Sequence, residues 1–231
     1  MNILAIETSS ERGSLALANE CFMDCVDLDP GPAQSATALA KLKTLLAARG
    51  LGVKDIQVIA FGSGPGMFTG LRLGCGLAQG LSIGLLKPIV AVSSLEALAH
   101  QSEGDHVVAA TDARMGEIYS QCFARSGDTL APCGEPTCVP PEMLSLPDGP
   151  AAWHGVGNAF DIYRDRLPGR VLGELTQVSA SVRPHAREVL EIARRRIGRG
   201  ETTPLSDAVP QYVRNKVALT TRERMERGGR V

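Results

Sequence analysis

Residues 107–119, VVAATDARMGEIY, repeat the order of residue types found in residues 4–16, LAIETSSERGSLA. In both stretches an apolar run leads through an acidic residue and a threonine into a polar turn with an arginine, a glycine and a second apolar run. This order predicts a β-hairpin. Recurrence after about a hundred residues predicts a duplicated domain whose halves open with the same hairpin. Chance similarity is the alternative, because hairpins of this kind are common.

The apolar pattern of the first half predicts a compact α/β unit. Residues 33–49 are expected to form an amphipathic helix, and Gly50 is expected to end it. Its apolar side is assigned to Ala36, Leu39, Ala40, Leu42, Leu45 and Leu46. Strands are expected over residues 2–8, 13–19, 21–27, 56–62 and 89–92, and a further helix near residues 94–100, capped by Ser93 or Ser94.

The second half is less regular. Residues 125–150 are rich in proline and glycine and are expected to form long loops, whereas residues 183–199 predict a clear helix. A short helix is expected near residues 158–166 and a last one near residues 219–227. We therefore expect two domains, residues 1–104 and residues 105–231, with the C-terminal helix packing back on the first.

Residues 62–80, GSGPGMFTGLRLGCGLAQG, predict a tight turn that enters a glycine-rich helix, with Thr69 as a candidate cap. Each glycine inside a helix costs about 1 kcal/mol relative to alanine. Close approach of another backbone is the expected compensation, so the helix should be buried on at least one side. The stretch lacks the Lys-Ser/Thr pair of a phosphate loop and does not fit G-x-G-x-x-G, so a packing helix is favoured over nucleotide binding.

Bulk composition excludes several classes of protein. The 231 residues have a formal net charge of -1, so no overall basic field favours nucleic acid. Arginines cluster at 194–196 and at 222, 224, 227 and 230, where they either contact RNA or, as we favour, form solvated helix faces. No apolar run reaches the roughly 20 residues of a membrane span. Six cysteines without a C-x-x-C pair indicate a reducing compartment, the cytoplasm.

Four stretches together resemble the bacterial TsaB family, also called YeaZ: residues 3–9, 61–72, 112–119 and 209–215. The resemblance covers essentially the whole chain. It implies an α/β, actin-like (ASKHA) fold of two duplicated ribonuclease-H-like lobes. Two departures concern Glu7, where the family often has aspartate, and Gln34-Ser35, where it often has His-Ser.

The resemblance also implies a function and partners. Family members serve as non-catalytic scaffold or activating subunits of the complex that transfers a threonylcarbamoyl group to the adenosine next to the anticodon, in tRNAs reading codons that begin with A. The implied partners are a TsaD-like catalytic subunit, a TsaE-like ATPase and, through the complex, tRNA. An isolated subunit is expected to form a homodimer. No cofactor is expected to bind tightly, although the complex should use ATP and threonylcarbamoyl-adenylate.

Two groups of residues are candidates for binding, and none is assigned to catalysis or to a metal. The first group is a partner-binding helix face, the alternative being that its helices only cover their own sheet. Its members are Phe68, Gly70, Arg72, Leu73, Gly74, Leu77, Gly80, Leu39, Leu42 and Leu46.

The second group is a possible cleft for a nucleotide or a partner loop. Its members are Glu7, Thr8, Gly64, Gly66, Thr69, Asp112, Arg114 and Glu117. An Asp112–Arg114 pair that merely fixes the turn is the alternative. The rival function is an ATP-dependent small-molecule kinase of the actin-like superfamily, in which Glu7 or Asp112 would hold magnesium.

Overall fold

Five strands near the start of the chain form the first sheet. The computed structural model describes residues 1–31, 33–149 and 152–214. The strand order is β3-β2-β1-β4-β5, with β1 antiparallel to β2 and parallel to β4. β1 and β2 are buried on both faces, which explains their almost continuous apolar runs. The strands are β1 (Ile3–Glu7), β2 (Ser14–Ala18), β3 (Met23–Asp27), β4 (Val58–Gly64) and β5 (Ile89–Ser93).

The second sheet repeats this order as β8-β7-β6-β10-β11. Its first three strands are antiparallel, and β10 and β11 continue parallel to β6, as β4 and β5 do beside β1. The same order with the same strand directions supports the predicted duplication. The strands are β6 (His106–Arg114), β7 (Glu117–Ser126), β8 (Thr129–Pro132), β9 (Thr137–Val139), which also pairs with β7, β10 (Trp153–Val156) and β11 (Leu175–Ser179).

Within the described residues, six α-helices cover the two sheets. They are α1 (Ala33–Ala47), α2 (Phe68–Leu85), α3 (Ser94–Ala99), α4 (Ala159–Ile162), α5 (Gly169–Glu174) and α6 (Ala186–Gly198). Leu4 and Ile6 of β1 face α1 and α2, whereas Ile3 and Ala5 face α6 on the other side. α3 contacts both sheets, and α4 and α5 pack on the far face of the second sheet.

The chain passes from the first sheet to the second between β5 and β6, close to residue 104, but it later returns to the first sheet. Residues of α6 complete the core of the first sheet, where Val189, Leu190 and Ala193 are fully buried. The first lobe therefore includes a segment distant in sequence. The helix expected at residues 219–227, like the arginines from position 222 onward, lies outside the described residues.

Several sequence expectations were wrong in detail. Thr69 does not cap α2, which begins at Phe68 after Met67 and has no side-chain cap, whereas Ser93 does cap α3. Residues 125–149 contain β8, β9 and a 3₁₀ turn at Pro141–Met143 rather than loops alone.

The apolar side assigned to α1 also differs. Ala38, Leu42, Leu45 and Leu46 are buried, but Leu39 is 53% exposed. The exposed residues of α1 include Ala36 and Ala40 as well. The buried positions lie three or four residues apart and form one narrow stripe against the sheet.

Candidate functional site

The carboxylate of Glu7, at the end of β1, is sealed inside the first lobe. Its Oε1 accepts a hydrogen bond from the Ser9 backbone N–H at 2.6 Å, and its Oε2 accepts one from Ser94 Oγ at 2.9 Å. A Cβ at Gly62 would lie 2.5 Å from the Glu7 carboxyl carbon, so glycine is needed beside it. Burial raises the pKa of Glu7, and the hydrogen bonds from Ser9 and Ser94 oppose this rise. The Glu7 side chain is 0% exposed and is enclosed by these contacts within the first lobe.

Thr8 fastens the start of α2 to the end of β1. Its Oγ1 donates to the Gly70 carbonyl at 2.8 Å, and Thr8 itself is 1% exposed. A Cβ at Gly70 would lie 3.0 Å from the Thr8 carbonyl carbon and closer still to its oxygen, and one at Gly74 would lie 2.5 Å from Thr8 Oγ1. The expected close approach of a backbone is therefore made within the chain. This contact takes place at Gly70 and Gly74, which are buried and therefore do not belong to an open helix face.

Asp112 fixes the turn at the head of the second lobe. Its Oδ1 accepts from the Arg114 backbone N–H and from Tyr163 Oη, each at 2.8 Å, and Oδ2 lies 3.3 Å from the Arg114 guanidinium. Arg114 and Met115 both adopt the left-handed region, with φ of 63° and 59°. Arg114 also pairs with Glu11 of the first lobe. The Asp112–Arg114 pair, which the sequence offered as the alternative to a binding cleft, is thus present.

Residues 211–214 form a strap that joins the two lobes. The Gln211 N–H donates to the Ser63 carbonyl at 2.7 Å in the first lobe. In the second lobe Arg214 Nη2 donates to the carbonyls of Ala113 and Arg114 at 3.0 and 3.1 Å and pairs with Glu117 at 2.6 Å. Glu117 is therefore bound to the strap. The strap fixes the hairpin turn against the base of α2.

Two of the cavities between the lobes are lined by predicted cleft residues. A cleft of about 570 Å³ runs between the turns at residues 9–12 and 111–114 and the segment at residues 180–184. A smaller cavity of about 270 Å³ lies between the base of α2, the turn after β6 and the strap. Three of the predicted cleft residues line both the cleft of about 570 Å³ and the cavity of about 270 Å³: Gly66, Asp112 and Arg114. Thr69 lines only the smaller of the two. Glu7, Thr8, Gly64 and Glu117 line neither cavity.

The outer surface of α1 and α2 combines exposed apolar side chains with open glycines. Phe68, Ile83 and Leu86 are 44%, 58% and 89% exposed. A Cβ added at Gly76, Gly80 or Gly84 would meet nothing within 4 Å. Of the predicted partner face, Leu39, Phe68, Arg72 and Gly80 are exposed, Leu73 and Leu77 are half-buried, and Leu42 and Leu46 belong to the core. We call the exposed part the α1/α2 surface.

The arginine run of α6 is occupied by contacts within the chain. Arg194 donates to the Asn19 carbonyl, Arg195 to the Asp128 carbonyl, and Arg196 to Glu96 at 2.6 Å and to the Ala91 carbonyl.

Within residues 1–31, 33–149 and 152–214, no group of three or more His, Cys, Asp and Glu side chains is placed to hold a metal ion. In that same part of the chain no helix has both the length and the apolar character needed to cross a bilayer.

Known proteins share both this sequence and this fold. A family model described as TsaD, tRNA N6-adenosine threonylcarbamoyltransferase, matches residues 33–221. The tRNA threonylcarbamoyladenosine biosynthesis protein TsaB of Escherichia coli is 33% identical over 229 residues, which cover 94% of this chain and 96% of the relative. The chain belongs to the TsaB family. The TsaB of Haemophilus influenzae is 31% identical over 232 residues, covering 94% and 95%.

A solved structure of the TsaB family agrees with the fold. YeaZ from Pseudomonas aeruginosa superposes with a TM-score of 0.84 at 33% identity, covering 91% of this chain and 99% of that one. The predicted family and the predicted actin-like α/β fold of two lobes are therefore confirmed.

Sequence reasoning missed two residues that organise this site in the TsaB-family chain. Ser94 holds both the Glu7 carboxylate and the Gly64 N–H, the latter at 3.2 Å, yet the sequence suggested only a helix cap near it. Arg214 lies in the fourth signature, at residues 209–215, but its contacts with the turn after β6 are about a hundred residues away in sequence. The signal for Arg214 was its presence in a signature without an assigned role.

Proposed function

We propose that this chain is a non-catalytic scaffold or activating subunit of the complex that makes threonylcarbamoyladenosine in tRNA. The complex would transfer the threonylcarbamoyl group to the adenosine next to the anticodon in tRNAs that read codons beginning with A. Support comes from membership of the TsaB family, whose relatives are named for this biosynthesis. Within it, the chain would bind a TsaD-like catalytic subunit and a TsaE-like ATPase in the cytoplasm.

The burial of Glu7 is the observation that carries the non-catalytic role. In this fold the end of β1 faces the space between the lobes, and an acid there would be the natural magnesium ligand for phosphoryl transfer. Here the carboxylate is fully buried, and Ser9, Ser94 and Gly62 occupy its surroundings. Asp112, the acid at the corresponding turn of the second lobe, already binds Arg114 and Tyr163. Neither carboxylate is free to hold a cation.

The α1/α2 surface supports the role in partner binding. Exposed apolar side chains beside open glycines allow another helix to approach closely, because no Cβ stands between the two backbones. The same surface would join two copies of the chain when the catalytic subunit is absent. ATP and threonylcarbamoyl-adenylate would then be bound by the complex rather than tightly by this chain.

Two measurements test the proposal. Depletion of the protein in its own cells should lower threonylcarbamoyladenosine in bulk tRNA, measured by mass spectrometry of nucleosides. The purified TsaD-like subunit should form the modified nucleoside only when this chain is added, and the Glu7→Gln variant should support it as well as the wild type. Normal modification after depletion would refute the biological role, and loss of activity in a folded Glu7→Gln protein would refute the non-catalytic one.

The rival kinase is favoured only by the cleft of about 570 Å³, which Arg12, Arg114 and Arg183 line. Two of these arginines are paired within the chain, Arg114 with Glu11 and Arg183 with Asp27. A kinase would hydrolyse ATP slowly on its own. Magnesium-dependent hydrolysis by the purified chain that disappears in Glu7→Gln would therefore favour the kinase over the scaffold.

A further inference from the structure

The guanidinium of Arg72, on the first turns of α2, lies over the Phe68 ring and is hydrogen-bonded to the Tyr212 hydroxyl. Its Cζ lies 3.8 Å from the centre of the Phe68 ring, and its Nε donates to Tyr212 Oη at 3.2 Å. The Phe68 and Tyr212 rings are themselves 5.6 Å apart. Two of the sequence signatures, at residues 61–72 and 209–215, thus meet at one exposed side chain. We call these three residues the Arg72 platform.

The terminal nitrogens of Arg72 have no hydrogen-bond partner among the residues that the structure describes. Among the same described residues, three other arginines lie over aromatic rings: Arg49 over Phe22, Arg166 over Tyr163 and Arg214 over Tyr119. Each of those three binds a carboxylate of the same chain. The carboxylates are Asp24 at 2.7 Å from Arg49, Glu142 at 2.6 Å from Arg166 and Glu117 at 2.6 Å from Arg214.

We propose that the Arg72 platform binds a carboxylate side chain of the partner subunit. This inference rests on the proposed function, because it places the contact on the TsaD-like protein. Planar guanidinium groups bind carboxylates through two parallel hydrogen bonds. The rings hold Arg72 in position before binding, so little side-chain entropy is lost when the partner docks.

The surroundings favour a protein carboxylate over the phosphates of RNA. Binding of RNA takes several free basic side chains, whereas a single carboxylate needs only one guanidinium. The arginine run of α6, in the same lobe, is already bound within the chain. Phe68 and Tyr212 are 44% and 47% exposed and border the cavity of about 270 Å³. Apolar atoms next to the bound carboxylate would rest on these rings and in that cavity.

The affinity of the full-length chain for the TsaD-like subunit tests the proposal, measured by calorimetry. Arg72→Ala should weaken binding about tenfold or more, because a charge-assisted pair is lost. Tyr212→Phe should weaken it by a few-fold, since only the bond that positions Nε is lost. Arg170→Ala is the control, another exposed arginine, on α5 of the second lobe, and should bind as the wild type does. Circular dichroism checks that each variant is folded.

Charge reversal identifies the bound group. Arg72→Glu should abolish binding, and one Asp or Glu to Arg change on the catalytic subunit should restore it. Equal affinity of wild type and a folded Arg72→Ala would overturn the platform and leave the proposed function intact. Absence of wild-type binding would overturn both. Reduced binding of bulk tRNA by Arg72→Ala, with subunit binding unchanged, would assign the platform to RNA and overturn the proposal.

Discussion

Two glycines on α2 should respond to the same substitution with opposite sign. At Gly70 an added Cβ meets the backbone of Thr8, which cannot move without shifting β1. Overpacking of this kind costs about 1–3 kcal/mol, and loss of the Thr8 hydrogen bond adds about 1. The gain in helix propensity returns about 1 kcal/mol. Gly70→Ala should therefore lower the free energy of unfolding by about 1–3 kcal/mol.

At Gly80 the same Cβ meets open space. Only the gain in helix propensity remains, so Gly80→Ala should raise the free energy of unfolding by about 1 kcal/mol. Gly74→Ala should fall between the two, because its close neighbour is the Thr8 hydroxyl, a side-chain atom.

Urea denaturation followed by circular dichroism measures the order of these variants. In thermal denaturation the two extremes should differ by about 10 °C in melting temperature for a chain of this length. Gly84→Ala is the matched control, since its added Cβ also meets nothing within 4 Å, and it should behave like Gly80→Ala. A Gly70→Ala protein as stable as wild type would refute the packing of α2 against Thr8. A destabilised Gly80→Ala protein would refute the open surface.

Further predictions concern charge, the strap and α1. Burial raises the pKa of Glu188 to about 7 from 4.5, so the folded state binds this proton more tightly and stability falls as pH rises between those values. As the pH rises from 5 to 8, Glu188→Gln should thus gain stability over the wild type, by as much as about 3 kcal/mol in urea denaturation. A stability difference between the two proteins that is the same at pH 5 and pH 8 would contradict this. Arg214→Ala should lower the free energy of unfolding by about 2–3 kcal/mol and speed hydrogen exchange in the turn after β6. Unchanged exchange in that turn would show that the strap is dispensable. Leu42→Ala should cost about 2–5 kcal/mol in thermal denaturation. Leu39→Ala should leave stability unchanged but weaken binding of the catalytic subunit; equal loss of stability in both leucine variants would disprove the assigned faces of α1.

The fold could be predicted from the sequence wherever a pattern was long or repeated. The similar hairpins at residues 4–16 and 107–119 predicted the duplication, because the hairpin is the local part of each lobe. β10 was missed because it has only four residues, and β11 because its three central residues are exposed. Local patterns at that length do not separate a strand from a loop. The return of α6 to the first sheet is a tertiary arrangement that its amphipathic pattern does not specify.

The candidate site was harder to predict than the fold. Glu7 ends an apolar strand and was assigned to the cleft, but its burial depends on Gly62 and Ser94, which lie on other elements. The close approach expected along α2 is present at Gly70 and Gly74, which meet Thr8, but not at Gly76, Gly80 or Gly84. Composition alone could not separate Gly70, which packs inside the chain, from Gly80, which faces solvent. That distinction depends on the rotation of α2 about its own axis relative to β1.

The position of α6 in the chain has a consequence for synthesis. Until residues 186–198 have been made, Ile3, Ala5, Val58 and Ala60 on the inner face of the first sheet lack their cover. The ribosome adds about 5–20 residues per second, so that face stays open for about 5–20 seconds after residue 104 has been translated. Protection by a chaperone or by the nascent second lobe would be needed for just this interval, and residues 1–104 made alone should aggregate.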